Sequence, residues 1–113
     1  MQSRAEIDAI YDTIEINGVV LGVDYTQMAK AQATDPETNS YRTSITSLKW
    51  KEVKFGDSTL LCDVSTGRPR PLVPHDFRRQ VFEAFHSLSH PSVRSTIKMV
   101  KHRFVWHSDI LTI

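Results

Sequence analysis

The chain has 113 residues, with 14 Lys and Arg against 13 Asp and Glu, a formal net charge of +1, and 40% hydrophobic and 24% charged residues. That length suits one small domain and excludes a multidomain enzyme, while the composition excludes a disordered acidic tail or a collagen-like repeat. No apolar run is longer than Val19–Leu21, far below the roughly 20 residues of a membrane span, and Met1 to Asp12 alternates charge with apolar residues rather than showing a secretory pattern. No membrane partner is expected, and the single cysteine, Cys62, cannot close an internal disulfide, which suits a reducing compartment, nucleus or cytoplasm.

The near-zero net charge hides an asymmetry. Residues 1–67 carry 6 basic and 10 acidic side chains, residues 68–113 carry 8 basic and 3 acidic ones, and all five histidines (His75, His86, His90, His102, His107) lie in the second half. A polyanion partner or metal chemistry is therefore to be sought there, unless the basic half only solvates its own surface or docks on the acidic half.

In chain order, Ile7, Ile10, Tyr11 and Ile14 recur at helical spacing, so residues 3–15 predict an amphipathic helix stopped by Asn17-Gly18. After the apolar stretch Val19–Val23, Asp24 is a plausible N-cap for a helix from Tyr25 to about Thr34, with Met28 and Ala31 or Gln32 facing inward. Asp35-Pro36 ends it, and Asp35 to Ser40, with nothing to bury, predicts a surface loop. From Ile45 to Val53 the residues favour strand, Phe55-Gly56-Asp57-Ser58 supplies a turn, and Thr59 to Val64 reads as the return strand. A second turn over Ser65 to Pro69 leads to Arg70-Pro71-Leu72-Val73, which completes a three-stranded antiparallel meander with its prolines on the edge strand. Asp76 is then a reasonable N-cap for a helix with an apolar stripe of Phe77, Val81, Phe82, Phe85 and Leu88, broken at His90-Pro91. Ser92 can cap a second helix whose Val93, Ile97, Val100 and Phe104 form one face and whose Arg94, Lys98 and Lys101 form a basic stripe on another.

His86 and His90, spaced four apart, point to the same side at a helix end and could share a metal. Zinc takes about four ligands, and the chain has no Cys-x2-Cys; Cys62, His102 and His107 are conceivable further ligands, and two polar histidines with no metal are the plainer reading of the spacing. Arg94, Lys98 and Lys101, with Arg78, Arg79 and Arg103 nearby, could meet phosphates; a solvated surface or a protein-binding face would use the same residues. Asp8, Asp12 and Glu15 read as the solvated face of a helix, Cys62 as a small buried hydrophobe, and Ser65-Thr66-Gly67 lacks the glycine spacing and lysine of a phosphate loop.

The stretch Leu60 to Trp106 resembles the part of gypsy-type long-terminal-repeat retrotransposon polyproteins that leads into integrase and forms its N-terminal His-His-Cys-Cys zinc-binding domain. The resemblance rests on the order Arg70-Pro71-Leu72-Val73-Pro74, an arginine-bearing helix, His86-Ser-Leu-Ser-His90-Pro91, a basic helix and Arg103-Phe104-Val105-Trp106. Val23-Asp24-Tyr25 and the segment from Asp35-Pro36-Glu37 to Tyr41-Arg42-Thr43 look like the linker between that polyprotein's ribonuclease H region and integrase. It implies zinc as the metal, with His86 and His90 as a half site, because the family's Cys-x2-Cys is absent from the 23 residues after His90, and the sequence departs from the family's continuation after Trp106.

The expected fold class is α+β: N-terminal helices in a linker segment over residues 1–44, a short antiparallel β-meander over 45–73, and a C-terminal helical pair over 74–113 that resembles a partial, helix-turn-helix-like integrase zinc-binding domain. The expected function is that of a non-catalytic polyprotein fragment, without integrase's Asp, Asp, Glu catalytic domain, whose intact relative binds nucleic acid in support of DNA integration. The competing expectation is a protein-interaction or self-association module that uses exposed apolar faces at Phe82, Phe85, Val100 and Phe104. No small-molecule substrate is expected.

Overall fold

A computed structural model describes residues 15–16, 19–20, 22–89 and 92–111. The expected helix over residues 3–15 lies outside them but for Glu15, which is in a strand. Strands β1 (Glu15–Ile16), β2 (Val19–Val20) and β3 (Val23–Asp24) pair antiparallel in that order, so the apolar lead-in folds back on itself.

Helix α1 (Tyr25–Thr34) starts where expected, because the Asp24 carboxylate accepts the Thr26 N–H at 2.8 Å. Its spacing of three and four residues buries Tyr25, Met28 and Gln32. Asp35 has extended backbone, as the residue before a proline must, and stops the helix. The surface loop expected over Asp35 to Ser40 is instead the start of helix α2 (Pro36–Thr43). The Asp35 carboxylate accepts from Thr38 N–H at 3.1 Å and Thr38 hydroxyl at 2.6 Å, with Pro36 in the first turn where its missing N–H costs nothing. One Asp-Pro pair thus ends one helix and begins the next.

The main sheet holds β4 (Trp50–Phe55), β5 (Ser58–Asp63) and β6 (Arg70–Pro71), antiparallel, in the order β4-β5-β6. Gly56, at φ +61°, makes the tight hairpin turn that an L side chain would strain. The first strand begins at Trp50 rather than Ile45, which is exposed. Central β5 buries Leu60, Leu61, Cys62 and Asp63 in succession. Beyond β6, Leu72 pairs in parallel with Val105, whose N–H donates to Pro71 at 2.9 Å while its carbonyl accepts from Val73 at 3.1 Å. The proline strand is therefore covered on both sides.

A 3-10 turn (His75–Phe77) precedes helix α3 (Arg78–Ser89); Asp76 lies inside that turn and caps nothing, because the extended residue at its start is Pro74. Helix α4 (Val93–Arg103) is capped as expected by Ser92, whose Oγ accepts the Ser95 N–H at 3.2 Å. Its inward face is rotated from expectation: Thr96, Met99, Val100, Arg103 and Phe104 are buried, whereas Val93 is exposed. Val93, the first residue of the helix, is exposed one turn before buried Thr96 and two before buried Val100, so its apolar character alone misleads.

A single buried cluster joins Val23, Tyr25 and Met28 to Leu60, Cys62 and Val73 and to Val81, Phe85, Met99, Val100 and Phe104. All three sequence segments contribute to it. Phe85, Val100 and Phe104 are wholly inside, so they offer no exposed face to a partner, and only Phe82 of that group is partly exposed. With four helices and the antiparallel sheet among the described residues, the fold is α+β.

Candidate metal and nucleic-acid site

His86 lies on the last turns of α3, half-buried, with its ring stacked on Phe82 one turn earlier at a centroid distance of 5.6 Å and an interplanar angle of 14°. Its Nδ1 is 3.1 Å from the hydroxyl of Thr96, a fully buried residue in the first turns of α4. That hydroxyl also lies 3.0 Å from the Ser92 carbonyl. The end of α3 and the beginning of α4 thus meet through one imidazole. The expected partner, His90, lies outside the described residues.

The donor set among the described residues does not close a zinc site. Among the described residues no three His, Cys, Asp or Glu side chains gather so as to hold a metal ion, and a structural zinc needs four. Cys62 is fully buried in β5, and burial, with the negative charge of Asp63 beside it, pushes its thiol pKa up to about 12. That suits a packed hydrophobe, not a thiolate ligand. His107 begins a 3-10 turn (His107–Asp109) past α4; burial, followed by the Arg78 charge, pushes its pKa below the usual histidine value, and its Nδ1 has no hydrogen-bond partner among the described residues.

The six cations grouped on the sequence separate into different environments. Arg94 and Lys98 are exposed on α4. Lys101, on the same helix, is paired with Asp109 at 3.0 Å. Arg79 is exposed on α3 beside Glu83, 2.9 Å away, and the ion pair raises its pKa further. Arg78 turns inward to Glu37 of α2 at 2.8 Å, and Arg103 is buried. The outward basic stripe of α4 is thus narrower than its composition, with Arg94 and Lys98 at its centre.

A feature with no local signal in the sequence holds this helix in place. Arg70 of β6 donates to buried Asp63 at 2.7 Å and, through its other terminal nitrogen, to the Lys101 carbonyl at 2.7 Å. Asp63 also accepts from Lys49 N–H, Ser65 N–H and Ser65 hydroxyl at 3.0, 3.0 and 2.8 Å. Burial by itself would raise its pKa; the hydrogen bonds from Arg70, Ser65 and Lys49 outweigh that and hold it below the usual carboxylate value. The last turn of α4 is tied by this pair to the sheet, while its first turn is tied by Thr96 to α3.

No helix of the described residues is long and apolar enough to cross a membrane. No curated protein and no solved structure matches the chain. Residues 73–109, which span the 3-10 turn at His75, both helices of the pair and the aromatic segment after them, match the family model described as integrase zinc binding domain. The matched region has the motif order noted in the sequence, and over these residues the chain is similar to the integrase zinc-binding domain, a family whose metal is zinc.

Proposed function

We propose that the chain is a non-catalytic segment of a retrotransposon polyprotein whose α4 helix contacts nucleic-acid phosphates in support of DNA integration. The observation that carries this reading is the division of α4 into two faces. Thr96, Met99, Val100 and Arg103 are buried against the fold, whereas Arg94 and Lys98 are exposed one turn apart. A helix anchored at both ends presents those charges at a fixed spacing, which lowers the ordering cost of meeting a phosphate backbone. Contacts of this kind are salt-sensitive and sequence-independent. The match to a zinc-binding rather than a catalytic domain agrees with a supporting role.

Fluorescence anisotropy with a labelled duplex of random sequence, at several salt concentrations, tests the reading. Affinity should fall with salt, and Arg94→Ala/Lys98→Ala should weaken binding and flatten the log–log salt slope by about 2, one phosphate per cation. Absence of binding at low salt, or a double variant with unchanged slope, overturns it.

A further inference from the structure

The third cation of the α4 stripe is held by a carboxylate from outside the helix. Arg94, Lys98 and Lys101 follow one another at spacings of four and three, which puts them on one face. Arg94 and Lys98 are exposed, whereas Lys101 Nζ lies 3.0 Å from Oδ1 of Asp109, in the 3-10 turn past the helix. Ion pairs at a surface are ordinarily weak, because flexible side chains must be ordered to form them. Here the backbone under each partner is already fixed. The Lys101 carbonyl accepts from Arg70 at 2.7 Å. Asp109 donates its own N–H to the Trp106 carbonyl at 2.9 Å, and Val105 before it is paired with the segment from Pro71 to Val73. Leu111 after it exchanges two bonds with Ser47: its N–H donates to Oγ at 3.1 Å, and its carbonyl accepts the Ser47 N–H at 2.7 Å.

We propose that Asp109 is a built-in competitor for nucleic-acid phosphate, which occupies Lys101 and holds it out of the contact that Arg94 and Lys98 make. To an ammonium group a carboxylate and a phosphate oxygen offer the same thing, a charged hydrogen-bond acceptor. The side chains of Lys101 and Asp109 are 37% and 31% exposed, so a phosphate can reach the pair and the pair can open without disturbing the core. The Asp109 charge also stands beside the line of the stripe and repels a phosphate backbone laid along it. The helix therefore engages DNA through two cations, and the third comes into play only when Asp109 is neutralised or drawn away. This inference rests on the reading of α4 as a phosphate-contacting helix and states what limits that face.

Salt titrations of the full chain by fluorescence anisotropy, with a labelled duplex of random sequence, count the phosphate contacts. Asp109→Asn, which keeps the shape and removes the charge, should steepen the log–log slope by about 1 and tighten binding at low salt. Lys101→Ala should leave the wild-type slope unchanged, and when added to Asp109→Asn it should abolish the gain. Asp57→Asn, in the turn between β4 and β5, removes an equal charge and should leave the slope as it is. An equal steepening in Asp57→Asn would reduce the effect to net charge and overturn the proposal. An Asp109→Asn slope equal to wild type would overturn it too, as would a flattened slope in Lys101→Ala, because Lys101 would then already touch phosphate. In each of these cases binding through Arg94 and Lys98 stands. If neither wild type nor Asp109→Asn binds the duplex at low salt, the proposal and the nucleic-acid reading fall together.

Discussion

The carboxamide of Gln32 and the backbone of Leu61 exchange two hydrogen bonds: the Leu61 N–H donates to Oε1 at 2.8 Å, and Nε2 donates to the Leu61 carbonyl at 3.2 Å. Nε2 also donates to the Leu72 carbonyl at 2.8 Å. A side chain of α1 thus completes the hydrogen bonding of the central strand and of the segment paired with it, in a place without exposure to water.

Gln32→Leu keeps much of the volume but leaves the Leu61 N–H without this partner, at a cost of about 1–3 kcal/mol for a buried unpaired donor. Urea unfolding should show that loss with an unchanged m-value. In Gln32→Glu the carboxylate still accepts from Leu61 but faces two carbonyls, which raises its folded pKa. Stability should then recover as pH falls and the acid becomes a donor, and decline as pH rises; a Gln32→Glu protein with no pH dependence relative to wild type would contradict this geometry.

Asp63 gives the opposite sign. Its pKa is held below the unfolded value of about 3.9, so its contribution is fully present above that value and is lost as pH falls through the depressed folded pKa. Asp63→Asn should flatten the acid limb of the stability curve. At pH 7, Asp63→Ala, which leaves the largely buried Arg70 guanidinium without its carboxylate, should cost about 3–5 kcal/mol. Urea midpoints from pH 7 to the acid limit check both.

Local chemistry explains what the sequence made legible and what it did not. Asp24 and Ser92 stand directly before runs of helical period, and both cap as read. Asp35-Pro36 carries two messages, helix stop and helix start, and the second was obscured because α2 buries little beyond Thr38. Val93 reads as core by residue type, but its position in the first turn of α4 places it outside. The spacing of His86 and the cations on α4 was visible from the chain, whereas the ties that orient them, Thr96 across ten residues and Arg70 across 31, belong to tertiary packing and leave no periodic trace.

Cys62 supplies a probe of the central strand. It is fully buried, with a thiol pKa pushed up to about 12, so neither access nor thiolate is available to a disulfide reagent at about pH 8. The native protein should resist labelling, and one equivalent should react on denaturation at a rate set by unfolding. Rapid labelling without denaturant would show β5 to be a less protected strand than the fold requires.

Chelation separates a fold closed by metal from one closed by its core. In small zinc modules the metal supplies about 10–16 kcal/mol and its removal unfolds the chain. Here Phe85 and Tyr25 both pack edge-to-face on Phe104, at 6.0 Å in each case, and the surrounding cluster draws on α1, β5, α3 and α4 together. Because that cluster packs all four elements through apolar side chains, excess EDTA should leave the far-UV circular dichroism and the thermal midpoint unchanged. Phe104→Ala, by contrast, removes the ring that both partners touch and should cost about 3–5 kcal/mol. If EDTA abolishes the helical signal and zinc restores it, the metal is part of the folded core and is held by ligands beyond the described residues; if Phe104→Ala alone destabilises, apolar packing is what positions His86 and the exposed cations of α4.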